Sequence, residues 1–212
     1  MFSPGRLTAL LVAVSFAAGL NLYLTVAVLG LLARFHVLNL PPGLSALDQT
    51  WVIAVAIVLS LIETFADKIP YVDLVWNAVH TFIRIPAAAI LAYQAANTLS
   101  PGEKAMVTVL AGAIAAVAHT AKTSARVAVS ATPEPFTNAA LSTAEDVTAA
   151  GITWVATVHP YLAATIVLIA LGIIVILIRK LMNGVRRLWA RLRHEPDPIL
   201  SVTPVQAEQR GD

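Results

Sequence analysis

Residues 63–73, Glu63-Thr64-Phe65-Ala66-Asp67-Lys68-Ile69-Pro70-Tyr71-Val72-Asp73, set three carboxylates and a lysine against the end of an uncharged apolar run, Trp51 to Ile62. Arg84 and Pro86 follow shortly after. Glu63 and Asp67 are four apart and share a helix face, with Glu63 the deepest of the set. Ionisable groups in or beside a hydrocarbon layer are costly, so they mark a functional site by default. A carboxylate facing a polar cavity there could take up and release a proton near neutral pH. A second constellation has the opposite sign: His119, Lys122 and Arg126 fall at i, i+3 and i+7 and would lie on one face of a continuous helix. Two chemistries are open to it. Lys122 and Arg126 could be neutralised by Glu63, Asp67, Glu145 and Asp146, which would make a bundle interior tolerable. Facing a cavity instead, they would attract a phosphate- or carboxylate-bearing solute. Glu134, held between Pro133 and Pro135, is placed to line a break between helices. The bland alternative for residues 63–73 is an interfacial cluster that ends a helix among lipid headgroups.

The elements that position these groups are membrane helices. Hydrophobic residues make up 58% of the chain and charged residues 12%, with a mean hydropathy of +0.78, beyond the apolar content of soluble domains. The 212 residues hold about six helices of the roughly 20 residues that cross a bilayer. There are no cysteines, which excludes disulfides, thiolate metal sites and cysteine nucleophiles. Arg179, Lys180, Arg186, Arg187, Arg191 and Arg193 follow the last apolar run and place the C-terminus in the cytoplasm by the positive-inside rule. That position also explains the basic cluster without nucleic acid. Arg6 and the apolar segment after it resemble a signal peptide, but the run continues to Phe35. A cleaved core of about 7–15 residues is shorter, so this segment is expected to stay as a helix.

In chain order, Thr8 to Arg34 is one apolar stretch in which Gly19-Leu20-Asn21 could unwind and present backbone groups and the Asn21 amide to a polar cavity. Pro41-Pro42-Gly43 stops a helix and makes a surface loop. Trp51 to Phe65 is a span. Tyr71 to Arg84 is amphipathic, with Val72, Val75, Val79 and Phe82 on one face and Asp73, Asn77, His80 and Arg84 on another. It could lie in the interface or begin a longer helix, and Pro86 predicts a kink or a fresh start. Ala87 to Leu99 and Ala105 to Ala118 are short and rich in small residues, suited to close helix packing. Residues 131–136 stop the helix that carries Arg126. Thr137 to Val158 and Tyr161 to Ile178 complete the set, split by His159-Pro160. Short apolar segments with charged ends around a Pro-rich break point to discontinuous or re-entrant helices.

Taken together, Ala18-Gly19-Leu20-Asn21-Leu22-Tyr23-Leu24-Thr25, Glu63-x-x-Ala66-Asp67-Lys68-Ile69-Pro70-x-x-Asp73, Arg84-x-Pro86, His119-x-x-Lys122-x-x-x-Arg126, Ser130-x-x-Pro133-Glu134-Pro135-Phe136-x-Asn138 and Glu145-Asp146-Val147 resemble the DUF4126 family of integral membrane proteins. The resemblance runs from about Ala17 to Tyr161. It implies a membrane protein and picks out these residues, but implies no substrate.

The expected fold is an all-α polytopic membrane bundle of about six apolar helical segments, some broken or re-entrant. Residues 1–193 form the membrane domain and 194–212 a disordered tail. A cell membrane, the bacterial inner membrane, is the expected location. The expected function is that of a small transporter or flippase-like protein for a small, anionic solute or lipid headgroup, coupled to protons. The candidate pathway is Asn21, Glu63, Asp67, Lys68, Asp73, Arg84, His119, Lys122, Arg126, Glu134, Glu145 and Asp146. A membrane scaffold with structural ion pairs is the alternative, and a lipid-modifying enzyme a third. The partners are membrane lipids and no nucleic acid; no cofactor is expected. No tight metal-ligand spacing, nucleophile arrangement or phosphate-binding glycine loop is present.

Overall fold

The computed structural model describes residues 3–69, 72–130 and 135–193. Pro70, Tyr71, Pro133, Glu134 and the expected tail lie outside them. The described elements are helical: α1 (Pro4–Leu20), α2 (Leu22–Arg34), a 3-10 helix (Pro42–Asp48), α3 (Thr50–Ala66), α4 (Val72–Ala95), α5 (Pro101–Ser130), α6 (Pro135–Val158) and α7 (Pro160–Arg193). The chain divides into two units, Met1–Val175 and Ile176–Asp212. The second begins within α7 and carries Arg179, Lys180, Arg186 and Arg187.

Among the described residues three helices are long and apolar enough to cross a bilayer: Val72–Ala95, Pro101–Val129 and Pro160–Arg187. A fourth is added if the 3-10 helix and α3, bent by 69°, count as one span. α1 and α2 are apolar but shorter. These helices fit a membrane protein.

α4 is inverted relative to a surface helix of a soluble domain. On α4 the buried residues are Asp73, Asn77, His80, Arg84, Ala88, Ala92 and Ala95, whereas Val75, Val79 and Phe82 are exposed, Phe82 to 82%. A helix that turns its apolar face outward is stable when that face meets lipid. α4 is therefore not an interfacial helix with its polar side in water. Pro86 does not end it either: α4 runs through Pro86 without interruption. In a bilayer the alternative is exposing several backbone groups to hydrocarbon, so one lost amide donor is tolerated.

Small residues set the packing. Ala88, Ala92 and Ala95 on α4, and Val107, Ala111, Ala115 and Ala118 on α5, are buried, and side chains this short let neighbouring helices approach closely. Gly19 near the end of α1 is forced by such an approach. A Cβ there would lie 2.6 Å from the Ala115 carbonyl oxygen and 2.7 Å from the Ala118 Cβ.

Between α1 and α2 the helix breaks at Asn21, whose backbone is extended (φ −147°, ψ 101°). Asn21 itself makes the break affordable. Its Oδ1 accepts from Leu24 N at 2.9 Å and caps α2, as an asparagine N-cap does, and its carbonyl accepts from Thr25 N and Oγ1. The start of α1 and the segment after α2 then line one cavity of about 470 Å³, through Arg6, Leu7, Val37 and Leu38.

Candidate functional site

The break frees the Leu20 carbonyl, and Lys122 of α5 donates to it at 3.1 Å. The same ammonium donates to Glu63 Oε1 at 3.0 Å and Asp67 Oδ2 at 2.8 Å. An ammonium has three donors, and all three are used. Glu63 and Asp67 reach it because they lie on the buried face of α3, in line with Ile53, Ala56 and Ser60.

Arg126, one turn further along α5, grips Glu145 of α6 side-on, with Nε to Oε1 at 3.3 Å and Nη2 to Oε2 at 2.5 Å. Its Nη1 donates to the Asp67 carbonyl at 2.7 Å and its Nη2 to Asp67 Oδ2 at 3.2 Å. Asp73 Oδ2 is 3.7 Å from Nη1. Arg84 of α4 pairs with Glu63 Oε1 through Nη2 and contacts Asn77 Oδ1 and His119 Nδ1 through Nη1, at 3.4 and 3.2 Å. A guanidinium only donates, so His119 Nδ1 accepts and its proton sits on Nε2, facing Thr81 Oγ1 at 2.7 Å and the Asn77 carbonyl at 3.2 Å.

Three cations, Arg84, Lys122 and Arg126, are thus enclosed by four carboxylates, Glu63, Asp67, Asp73 and Glu145. None of these side chains is more than 9% exposed. The charged residues expected from distant parts of the chain therefore do converge. Glu63 Oε2, Asp67 Oδ1, Asp73 Oδ2 and Arg84 Nε are buried there without a hydrogen-bond partner among the described residues. Among the described residues no three of the acidic and histidine side chains are arranged to hold a metal ion.

Asp146 stands apart from the cations, contrary to the expected pairing with Lys122 or Arg126. Its Oδ1 accepts from Asn21 Nδ2 and its Oδ2 from Thr64 Oγ1, each at 2.9 Å. The reason is helical geometry: Glu145 and Asp146 are adjacent, so they point about 100° apart, and only Glu145 faces Arg126. Lys68 also falls outside the network. It lies past the end of α3, with its ammonium 5.5 Å from the Phe65 ring centre. His119 is a hydrogen-bonding member of the site and, among the described residues, pairs with no carboxylate. Glu134 is outside the described residues.

Sequence reasoning did not select Asn77, His80, Thr81, Tyr23 or Thr64 for the site. Asn77 donates to the Asp73 carbonyl and Oδ1. His80 holds the Trp76 carbonyl through Nδ1 at 2.7 Å and meets the Tyr23 hydroxyl through Nε2 at 3.0 Å. The polar face of residues 73–84 was the signal that could have found Asn77 and His80. Tyr23 stands in the stretch Ala18 to Thr25 that carries the family resemblance; for Thr64 there was no signal.

No curated protein and no solved structure matches the chain. The profile of a family described as "Domain of unknown function (DUF4126)" matches residues 8–180, a range that contains every residue of the charged network. The chain therefore belongs to the DUF4126 family.

Proposed function

We propose that this is a small proton-linked membrane transporter whose charged interior carries the coupling proton and binds a small solute or lipid headgroup. The observation that carries the reading is the imbalance of the buried network, four carboxylates around three cations. Removed from water, an uncompensated carboxylate is far more costly than a protonated one. The network thus favours holding a proton, and uptake or release of that proton changes its charge. An anionic solute would bind by displacing a carboxylate from Lys122 or Arg126. In this reading the break at Asn21 between α1 and α2 lies at the site, with the Leu20 carbonyl held by Lys122. The arginines and lysine after Ile178 keep the C-terminus on the cytoplasmic side.

Reconstitution tests this. Proteoliposomes loaded with a pH-sensitive dye should show protein-dependent proton movement driven by the proper solute, and Glu63→Gln should abolish it while the protein stays folded.

One observation favours a scaffold instead: every donor of Lys122 is already used by the protein. The double variant Glu63→Gln, Lys122→Met separates the two. It removes one charge of each sign and recovers much of the stability that Lys122→Met alone loses. A scaffold then works as before, whereas a transporter is folded and inactive.

A further inference from the structure

We infer that the end of the bundle remote from the charged network binds an anionic phospholipid, its phosphate on Arg6 and one acyl chain in each of two clefts that meet there. The inference goes beyond the transport reading and does not depend on it.

Both clefts lie at the start of α1. The first, of about 470 Å³, has Leu7, Leu38 and Ala95 in its wall. The second, of about 420 Å³, is bounded by Val158, Tyr161 and Leu162, where α6 gives way to α7. Among the described residues Arg6 is the one side chain that lines both, and no other lysine, arginine or acid lines either. Volumes of this size are those of ligand sites. The wall of the first is also held in place. The Val37 and Leu38 amides donate back to the Leu32 carbonyl at 2.9 and 3.1 Å, and Gly43 is pressed so close to the end of α4 that a Cβ would lie 1.9 Å from the Gln94 carbonyl oxygen.

The depth suits a headgroup. Asp73 of the network stands at the start of α4 and Ala95 at its end, a rise of about 33 Å, which is the thickness of a hydrocarbon core. Arg6 therefore sits at the opposite membrane surface from Asp73. Tyr161 beside it, 59% exposed, is of the type that favours that level.

Charge selects the lipid. Arg84, Lys122 and Arg126 are each paired with carboxylates, whereas among the described residues the exposed Arg6 is paired with none. The acids of the segments at this end, Asp48 and Glu103, accept instead from Gln49 and Ser100. A guanidinium holds a phosphate through two parallel hydrogen bonds. With no carboxylate in either lining, the ammonium of a zwitterionic headgroup finds no partner, so a lipid of net negative charge is preferred. Asn39 and Thr98 add polar groups to an otherwise apolar wall, as an amphipathic ligand requires.

The full-length protein in detergent, titrated with phosphatidylglycerol, phosphatidylcholine or inorganic phosphate, tests this by native mass spectrometry and by melting temperature. Phosphatidylglycerol should bind as one tight copy and raise the melting temperature, phosphatidylcholine should bind about tenfold more weakly, and phosphate should displace neither. Arg6→Gln should erase the preference. Val37→Trp, which fills the first cleft, should weaken both lipids, and Thr98→Trp should repeat that from another part of the lining. Arg6, Val37 and Thr98 are all exposed, so these variants should melt like the parent without lipid. Arg34→Gln, at an exposed arginine ending α2, should change nothing. Equal affinity for the two lipids, a preference that survives Arg6→Gln, or lipid binding untouched by both tryptophan variants overturns the inference. So does an equal loss with Arg34→Gln, which would mean diffuse attraction to a basic surface, or displacement by phosphate, which would mean a site for free anions.

Discussion

At the scale of single residues, Lys122 is the joint of the site, since it ties a main-chain oxygen at a helix break to two carboxylates on another helix. Replacing it by methionine leaves buried negative charge without a partner, a loss of about 3–5 kcal/mol in other proteins, and thermal unfolding in detergent should show a large drop. Lys122→Arg should not rescue it. A planar guanidinium cannot direct its donors at three oxygens arranged around one nitrogen; equal melting of Lys122→Arg and the parent would refute that geometry. Glu63, Asp67, Lys122 and Arg126 were legible in the sequence because each interrupts an apolar run at helical spacing. Their pairing was not, because Glu63 and Lys122 are 59 residues apart and spacing says nothing about which helices touch. Asp146 could not be told from Glu145 until the helix was phased against its neighbours.

At the scale of elements, two positions test what holds the helices in place. Gly19→Val puts carbon where the Ala115 carbonyl and Ala118 already are, and overpacking of this kind costs about 1–3 kcal/mol, read as a lower melting temperature. Pro86→Ala should act in the other direction. It restores an amide inside a helix that is already continuous, where proline is about 3 kcal/mol worse than alanine in water, so the variant should melt higher with its activity intact; a lower melting temperature would mean that the proline shapes α4. The break at Asn21 was legible because glycine and asparagine together punctuate an otherwise apolar run. The continuity of α4 was not. The local rule for proline was derived in water, and in this chain helix packing and the absence of water as an alternative partner override it.

At the scale of the molecule, apolar side chains cover the outside of the first unit and charges fill part of its inside. Because the chain has no cysteine, single-cysteine variants can map this directly. Cysteines at Val75, Phe82 and Val109 should resist water-soluble maleimides and react with lipid-soluble ones; rapid aqueous labelling at all three would contradict a bilayer around α4 and α5. The all-helical class was visible from composition alone, whereas the number of crossings was not, because α1, α2 and the 3-10 helix before α3 bend or stop where hydropathy runs on. The buried network also has a consequence for how the protein is made. Glu63 and Asp67 leave the ribosome 59 and 55 residues before Lys122, and Arg126 precedes Glu145 by 19. The carboxylates of α3 are thus born before the cations of α4 and α5 that neutralise them, and they need water or headgroups around them until those helices have been synthesised.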